Sequence, residues 1–410
     1  MSSSQRGQLE QRLLVLVTLA LVAFGLVMVY SATSATAALG NGDPITFLKR
    51  QGAYALLGVV LLVVGSRFDH RQLRNVAPAL VLTALALCVA VLAIAPEING
   101  ARRWLTAGPL TFQPSELAKL ALLLWAAAYL ARKGAPQTLG ELWKPIGMLT
   151  CLFAALIVIE PDLGTTISLV LMVGGMLVVA GVPTRTLAAA GAIATMGGLV
   201  AIWMEPYRRA RVFSFLDPWA DPEDSGFQTV QALLGLGSGG LTGKGLGEGV
   251  QKINYLPEQQ TDMILAVIGE ELGLLGTTAV IGAFAAFAFA GLTVALRCRD
   301  PFGKLLAAGI TSLVCGQAAV NLAAVLGIAP LTGIPLPFVS YGGSSLVVLL
   351  ASVGILLNIA GDERAPSRVA SADRRRRNGR ARPAVARGGG GAARTRRQRD
   401  VRRVAGSRRG

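Results

Sequence analysis

Asp262 has the position and the side chain that most directly suggest chemistry in this chain. It ends a polar stretch and is followed at once by a long apolar run. Burial at the edge of a hydrocarbon layer raises a carboxylate's pKa and nearby cations lower it, so position alone leaves its protonation state open. An ionised Asp262 could act as a general base toward a hydroxyl group. Thr-Asp before an apolar run is also a common helix start, so N-capping explains the residue equally well.

Two further sets of charged residues lie inside apolar stretches, where polar side chains need partners. Glu116 and Lys119 are three residues apart, so on a helix they share a face and can form a functional or a structural ion pair. Glu270 and Glu271 follow Asp262 by eight and nine residues, or about 12 to 14 Å along a helix. They cannot reach what Asp262 reaches, and we interpret them as an internal structural or coupling pair.

A tight turn is predicted at residues 160–165, with the sequence EPDLGT. Pro161 ends one helix, and Asp162 is placed to cap the next. Capping alone explains Asp162 well.

The longest polar stretch, residues 205–263, divides into two parts. Residues 208–224 combine Pro, Trp and alternating charges, and we expect them at a membrane interface. Residues 235–252 (GLGSGGLTGKGLGEGVQK) contain glycines that permit close backbone approach, with Lys244 and Lys252 supplying charge. This segment resembles a phosphate-binding loop only loosely. It lacks the Walker pattern and follows no strand, so no nucleotide site is predicted.

The elements that position these groups are dominated by apolar residues. Hydrophobic residues make up 53% of the 410 and charged residues 15%, and the mean hydropathy is +0.55. This balance is typical of a chain whose solvent is the bilayer. Since a helix needs about 20 apolar residues to cross the hydrocarbon, we predict an all-α polytopic membrane protein with ten spans, near 13–30, 52–66, 76–95, 115–131, 145–159, 163–182, 186–204, 264–296, 304–328 and 338–360.

Charge predicts the orientation of these spans. Ten spans place both termini on one face, and the short basic turns fall on that face, which the positive-inside rule makes the cytoplasm. The 205–263 loop is then extracytoplasmic. Long loops cross the membrane whatever their charge, so the cations outside need have no function. Binding of an anionic ligand is an equally good interpretation. They are Lys49, Arg50, Arg102, Arg103, Arg208, Arg209, Arg211, Lys244 and Lys252.

The two ends of the chain lie outside the membrane domain, residues 13–360. Residues 1–12 are predicted as a cytoplasmic N-terminus, and the first span as an uncleaved signal anchor, although a small-residue run from Ser31 to Ala38 resembles a cleavage site. Residues 361–410 hold 17 of the 39 Lys and Arg and no Leu, Ile, Met or aromatic residue, which predicts a disordered Arg-rich cytoplasmic tail. It serves as a topology anchor or attracts anionic membrane lipids or an acidic partner. No stacking aromatics interleave its arginines, so nucleic acid is not expected.

Histidine and cysteine usage excludes several kinds of site. The single histidine, His70, lies in a short basic turn on the predicted cytoplasmic side. Histidine-dependent triads and zinc sites of the usual kind are therefore excluded on the opposite face. The four cysteines, Cys88, Cys151, Cys298 and Cys315, are too scattered for a metal or redox motif.

Six segments, together and in this order, resemble those of the SEDS proteins (shape, elongation, division and sporulation), the membrane family of FtsW and RodA. The resemblance covers nearly all of residues 10–360. The run VIGEELG at 267–273 is more similar to the division branch, FtsW, than to the elongation branch. The six segments are NGARRW at 99–104, QPSELAK at 113–119, PDLGT at 161–165, the glycine-rich run ending Gln251-Lys252, LPE at 256–258 with Thr261-Asp262, and PLPFVSYGGSS at 335–345.

This resemblance implies a peptidoglycan glycosyltransferase that polymerises lipid II into glycan strands outside the cytoplasmic membrane, at the septum during cell division. Asp262 aligns with the family's catalytic aspartate. The expected partners are lipid II, the growing glycan strand, a class B penicillin-binding protein and other divisome proteins. No organic cofactor is implied, and a divalent cation, Mg²⁺ or Mn²⁺, could share in binding the diphosphate. The expected substrate-binding residues are Arg102, Arg103, Glu116, Lys119, Lys244, Lys252 and Glu258.

The sequence departs from the family pattern near Asp262, and other functions stay open. Gln259 and Gln260 stand where a histidine is common, Met263 replaces a phenylalanine, and Glu248-Gly249 stands where a serine is usual. These changes put the shape of the acceptor site in doubt. A flippase for lipid-linked precursors is the main alternative, because ten spans with buried charges also describe many carriers. A polymerase serving elongation and a scaffold for the division machinery are two others.

Overall fold

The computed structural model describes residues 3–38, 44–97, 100–107, 110–253 and 256–362. Within this part, ten helical segments are long and apolar enough to cross a membrane. A π-helical turn, Trp143–Gly147, joins α5 to α6, and these three pieces form the fifth span. The elements are α1 (Ser3–Ala38), α2 (Pro44–Arg67), α3 (His70–Ile94), β1 (Leu105–Ala107), β2 (Leu110–Phe112), α4 (Pro114–Lys133), α5 (Leu139–Leu142), α6 (Met148–Ile159), α7 (Leu163–Ala180), α8 (Thr184–Met204), α9 (Pro206–Leu216), α10 (Phe227–Ser238), α11 (Ile264–Arg297), α12 (Pro301–Val325) and α13 (Gly343–Asp362).

The ten predicted spans are confirmed, with differences at some ends. The last span begins at Gly343 rather than at residue 338. Pro335 and Pro337 have no backbone N–H to donate, and Phe338 has a φ of +66°, which does not continue a right-handed helix. The ninth span ends at Val325, three residues earlier than predicted.

Hydrogen bonds fix which helix ends share a face. Arg297 Nη1 donates to Glu10 Oε1 at 2.6 Å, and Gln11 Nε2 donates to the carbonyl of Leu357 at 3.4 Å. Arg71 pairs with Asp362. These contacts gather the start of α1, the start of α3, and the ends of α11 and α13 at one face, which we call the terminal face. The opposite face, the loop face, carries the candidate site.

The central helices of the bundle are α4, α12 and α13, most of whose residues are buried. The apolar stretch of α8, by contrast, buries none of its residues against the rest of the chain. Ahead of α4, β1 and β2 form an antiparallel hairpin in which Leu105 is paired with Phe112. Tyr54 Oη of α2 accepts a 2.8 Å hydrogen bond from the backbone N of Thr111, which holds this hairpin against α2.

The loop between α8 and α11 has defined structure in its described part. Tyr207, Phe213 and Leu216 of α9 are each more than half exposed, as expected for a helix that lies at a membrane interface. Residues 239–252, the glycine segment, pack against a break in α11 at Gly273, which has a φ of +65°. The backbone N of Leu274 donates to the carbonyl of Gly240 at 2.9 Å, and that of Lys244 donates to Glu270 at 3.0 Å. The glycine segment therefore satisfies backbone groups that the helix break exposes.

Some predicted features lie outside the described residues. They are Asn99 of the NGARRW segment, Asn254 and Tyr255 of the long loop, and the tail from residue 363 onward. The boundaries of the N-terminal segment, the membrane domain and the tail stay predictions.

Candidate active site

Asp262 lies at the loop face directly before α11, with 8% of its surface exposed. The N-cap of α11 is Met263, and no side chain caps this helix end. The interpretation of Asp262 as a side-chain N-cap was therefore wrong. Among the described residues, its carboxylate accepts a hydrogen bond from Thr261 Oγ1, at 3.3 Å.

Arg211 of α9 supplies the positive charge that acts on the Asp262 carboxylate. A methyl group placed on Gly333 would lie 3.9 Å from Arg211 Nη1 and 4.0 Å from Asp262 Oδ2, so the two side chains flank this glycine. Arg211 Nη1 also donates to the carbonyl of Leu331 at 3.3 Å, and its guanidinium lies over the ring of Tyr207, 4.7 Å from the centroid. Arg211 is thus held between α9 and the α12–α13 loop.

The environment of Asp262 shifts the pKa of its carboxylate. The net pKa of Asp262 is raised to about 6: burial, the largest cause, and the Glu258 carboxylate raise it, while the charge of Arg211 lowers it. Asp262 is therefore largely ionised at neutral pH, yet more basic than an exposed aspartate. A base is most effective when its pKa lies near the operating pH.

Glu258 lies four residues before Asp262 in the sequence and is exposed. It has a φ of +52°, and its Oε2 accepts a hydrogen bond from Thr261 Oγ1 at 3.1 Å. Thr261 Oγ1 thus contacts both Glu258 and Asp262. Of the predicted binding residues, Glu258 is therefore brought close to Asp262.

A second polar cluster surrounds Asp162 at the start of α7. Its Oδ1 accepts from the backbone N of Thr165 at 2.9 Å, which confirms the predicted N-cap. Its Oδ2 accepts from Gln113 Nε2 at 2.9 Å. A methyl group on Gly164 would lie 2.7 Å from the carbonyl of Thr332. The start of α7 therefore packs closely against the same α12–α13 loop that passes Asp262.

Arg103 holds the turn before α7. Its Nε donates to the carbonyl of Glu160 at 2.8 Å, and its Nη2 donates to that of Pro161 at 2.5 Å. The net pKa of Glu160 is raised to about 8, because burial and the charge of Asp162 raise it more than Arg103 and Cys88 lower it. Arg102 is exposed and lies 3.8 Å from Glu97. Arg102 therefore keeps its charge available to a ligand, whereas Arg103 has a structural task.

Glu116 and Lys119 form the predicted pair. Lys119 Nζ donates to Glu116 Oε1 at 2.9 Å, and both side chains are almost completely buried in α4. Glu116 Oε2 has no hydrogen-bond partner within the described part of the chain. The pairing predicted from the spacing is confirmed, and its role in substrate binding stays a prediction.

Lys244 and Lys252 are bound to the acids of α11. Lys252 Nζ donates to Glu271 Oε1 at 2.7 Å, and both side chains are buried. Lys244 Nζ donates to Glu270 Oε1 at the same distance and is about one-third exposed. The backbone N of Val250 and that of Gln251 also donate to Glu270. Lys252 is thus paired with an acid inside the protein, and the expectation that it binds a diphosphate stays a prediction.

Metal-binding side chains do not cluster in the described residues. There, no group of three or more His, Cys, Asp and Glu could hold a metal ion. Binding of Mg²⁺ or Mn²⁺ stays a prediction.

Comparison with known proteins shows which family has this arrangement. A family model described as cell cycle protein, FTSW_RODA_SPOVE, matches residues 11–365. The probable peptidoglycan glycosyltransferase FtsW of Geobacter sulfurreducens is 43% identical over 350 residues, which cover 85% of this chain and 94% of that protein. The chain belongs to the FtsW/RodA/SpoVE family. This confirms the SEDS resemblance and its FtsW branch.

Solved structures agree with this assignment. A chain from a peptidoglycan synthase complex, described as coordinating polymerization and crosslinking, matches with a TM-score of 0.71 at 32% identity, covering 86% of this chain and 98% of that chain. The rod shape determining protein RodA of Thermus thermophilus matches with a TM-score of 0.63 at 30% identity, covering 86% and 97%. The ten-helix SEDS fold is therefore confirmed.

Two residues beside Asp262 were absent from the predicted site. Arg211 is predicted only as one of nine outer cations, and Asn321, which donates to the backbone carbonyl of Asp262 at 2.7 Å, is not among the predicted residues. An amide side chain near the end of an apolar helix is a signal that could have pointed to Asn321. For Arg211, nothing in its spacing from Asp262 indicates a contact, because 50 residues of loop separate the two.

Proposed function

We propose that this protein is a peptidoglycan glycosyltransferase that polymerises lipid II, with Asp262 as the base. The observation that supports this most strongly is the Asp262 carboxylate. It is buried at the membrane edge, does not cap a helix, and faces Arg211. Lipid II joins a sugar to a polyprenyl chain through a diphosphate, so its polymerase needs a base and a cation at this depth. The relative from Geobacter sulfurreducens is named a probable peptidoglycan glycosyltransferase.

The proposed reaction requires one proton transfer and one displacement. Asp262 takes the proton of the acceptor sugar's 4-hydroxyl as that oxygen attacks the anomeric carbon of the donor. The bond from this carbon to the diphosphate breaks, and the polyprenyl diphosphate leaves. A positioned base of this kind typically contributes about 10² to 10⁴ in rate.

Cations stabilise the negative charge that develops on the leaving diphosphate. Arg211 is the best-placed candidate because it lies beside Asp262, and Arg102 is exposed on the same face. Lys244 is partly exposed but already paired with Glu270. We assign no step to a divalent cation, because the described side chains offer no complete ligand set.

The proposed orientation in the membrane follows from charge, and the proposed partners follow from the family. We propose that the terminal face is cytoplasmic, in accordance with the positive-inside rule, and that the loop face meets lipid II and the growing glycan strand outside. The related peptidoglycan synthase complex couples polymerization to crosslinking. A class B penicillin-binding protein is therefore the proposed partner, together with other divisome proteins, at the septum.

The decisive experiment for the function supplies purified full-length protein and its cognate transpeptidase with labelled lipid II. Glycan strands are resolved by gel, and lipid movement is followed in parallel with the protein in vesicles. We expect polymer that grows with time. Movement of lipid II between leaflets without polymer would contradict a polymerase and support a flippase.

A further inference from the structure

Asn321, near the loop-face end of α12, makes two hydrogen bonds with one amide group. Its Nδ2 donates to the carbonyl of Asp262 at 2.7 Å and to that of Ile334 at 2.8 Å. These carbonyls belong to two different loops, one that ends at α11 and one that joins α12 to α13. Asn321 is 2% exposed, so neither bond competes with bulk water.

The second loop lines the Asp262 carboxylate between two anchors. Leu331 accepts from Arg211 at 3.3 Å, and Ile334 accepts from Asn321. Between them lies Gly333, whose φ is +73° and whose added methyl group would lie within 4.0 Å of both Arg211 Nη1 and Asp262 Oδ2. The distance between acid and cation thus depends on how residues 331–334 are held.

Other bonds restrain the Asp262 segment without reaching residues 331–334. Gln259 Nε2 donates to the carbonyl of Ala32 at 2.9 Å, and the backbone N of Tyr341 donates to that of Gln260 at 2.7 Å. Neither of these bonds joins the Asp262 segment to residues 331–334. Asn321 makes that connection through both protons of its amide nitrogen.

We propose that Asn321 is a positioning residue that fixes the Asp262 carboxylate relative to Arg211 by joining the backbones of Asp262 and Ile334. The inference rests on the proposed glycosyltransferase function. It assigns Asn321 no contact with substrate. Loss of the two Asn321 hydrogen bonds would let the Asp262 carboxylate shift relative to Arg211. Displacements of about 1 Å at a reacting centre can cost about 10²-fold in rate.

The test uses the full-length protein with its cognate transpeptidase and labelled lipid II. Asn321→Asp keeps the shape of the side chain but cannot donate two hydrogen bonds, and Asn321→Ala removes the amide entirely. Gln317→Ala is the matched control, since Gln317 is another buried amide one turn earlier in α12, and its Oε1 has no partner in the described part of the chain. Melting temperature in detergent identifies variants that fold.

We expect both Asn321 variants to lose about 10²-fold in kcat with KM for lipid II nearly unchanged, and to shift the acid limb of the pH–rate profile. Gln317→Ala should retain both. Added to Asp262→Asn, Asn321→Asp should cause little further loss, because residues that act as a unit are not additive. Should Asn321→Ala not fold, Asn321→Asp decides.

Native kcat and pH profile in folded Asn321→Asp would overturn the inference, as would an equal loss in Gln317→Ala or a full additional loss on top of Asp262→Asn. Failure of the proposed function looks different. In that case Asp262→Asn itself polymerises lipid II as the native protein does.

Discussion

At the scale of single residues, the carboxylate of Asp262 has a higher pKa than that of an exposed aspartate. Burial disfavours its ionised form, and the charge of Arg211 restores part of the balance, which gives a pKa of about 6. Because the general base must be ionised, the rate should rise as pH increases through this value.

Arg211→Gln tests this balance. Removing the cation withdraws the influence that lowers the pKa of Asp262, so the acid limb of kcat/KM against pH should move to higher pH, and the rate at neutral pH should fall. Arg209→Gln is the control, since Arg209 lies on the same helix but over the ring of Trp203, 5.7 Å from the centroid. An unmoved limb in Arg211→Gln, or an equal shift in Arg209→Gln, would contradict the account.

Sequence predicts local partners at this scale and misses distant ones. The Glu116–Lys119 pair and the Asp162 cap follow from three-residue spacings that a helix turns into contacts. The contacts of Asp262 with Arg211 and Asn321 arise where separate loops meet. No spacing rule connects residues that the chain brings together only through its tertiary fold.

At the scale of elements, the glycine segment and α11 form one unit. The prediction that Glu270 and Glu271 need internal partners is confirmed, and the donors are Lys244, Lys252, Ser31 and backbone N–H groups of the loop. The sequence could not identify Lys244 and Lys252 as these donors, because it does not show that the glycine segment folds back onto a broken helix.

Lys252→Met should therefore reduce stability, because Glu271 is left buried and unpaired, a loss of about 3 to 5 kcal/mol for such pairs. The double variant Lys252→Met/Glu271→Gln should recover most of the melting temperature and of the polymerase activity. Lys49→Met, at an exposed cation, serves as the control. A double variant that is as stable as the native protein yet inactive would show that Lys252 binds substrate after all.

The break in α11 gives a second prediction for this unit. A methyl group on Gly273 would lie 2.4 Å from the backbone N of Gly243, and the φ of +65° disfavours any other residue. Gly273→Ala should lower the melting temperature and the activity together. Gly282→Ala, in the same helix with nothing near its added methyl group, should leave both unchanged. Equal melting temperatures for the two variants would contradict a packed glycine segment.

At the scale of the whole molecule, the ten spans could be predicted because the bilayer imposes one length on every crossing. Their ends were less predictable, as at α13, where prolines and Phe338 delay the helix start. The loop structure depends on contacts between segments and could not be derived from hydropathy.

Orientation is a prediction that labelling can check. In a protein whose four cysteines are replaced by alanine, Asp224→Cys on the loop face and Arg74→Cys on the terminal face each present one exposed thiol. A membrane-impermeant maleimide is added to cells whose outer layers have been removed and whose cytoplasmic membrane is intact. It should label the first thiol and not the second. After lysis both should react. The reverse pattern would place the terminal face outside and remove Asp262 from the side where lipid II is polymerised.

The most direct test of the central claim is lipid II polymerisation by Asp262→Asn, measured beside the native protein and beside Asp224→Asn, an exposed acid of the same loop. The substitution keeps the size of the side chain and removes the base. We expect a fall of about 10² to 10⁴ in kcat with the melting temperature retained, and native activity in Asp224→Asn. Polymer from Asp262→Asn at the native rate would contradict the assignment of Asp262 as the base.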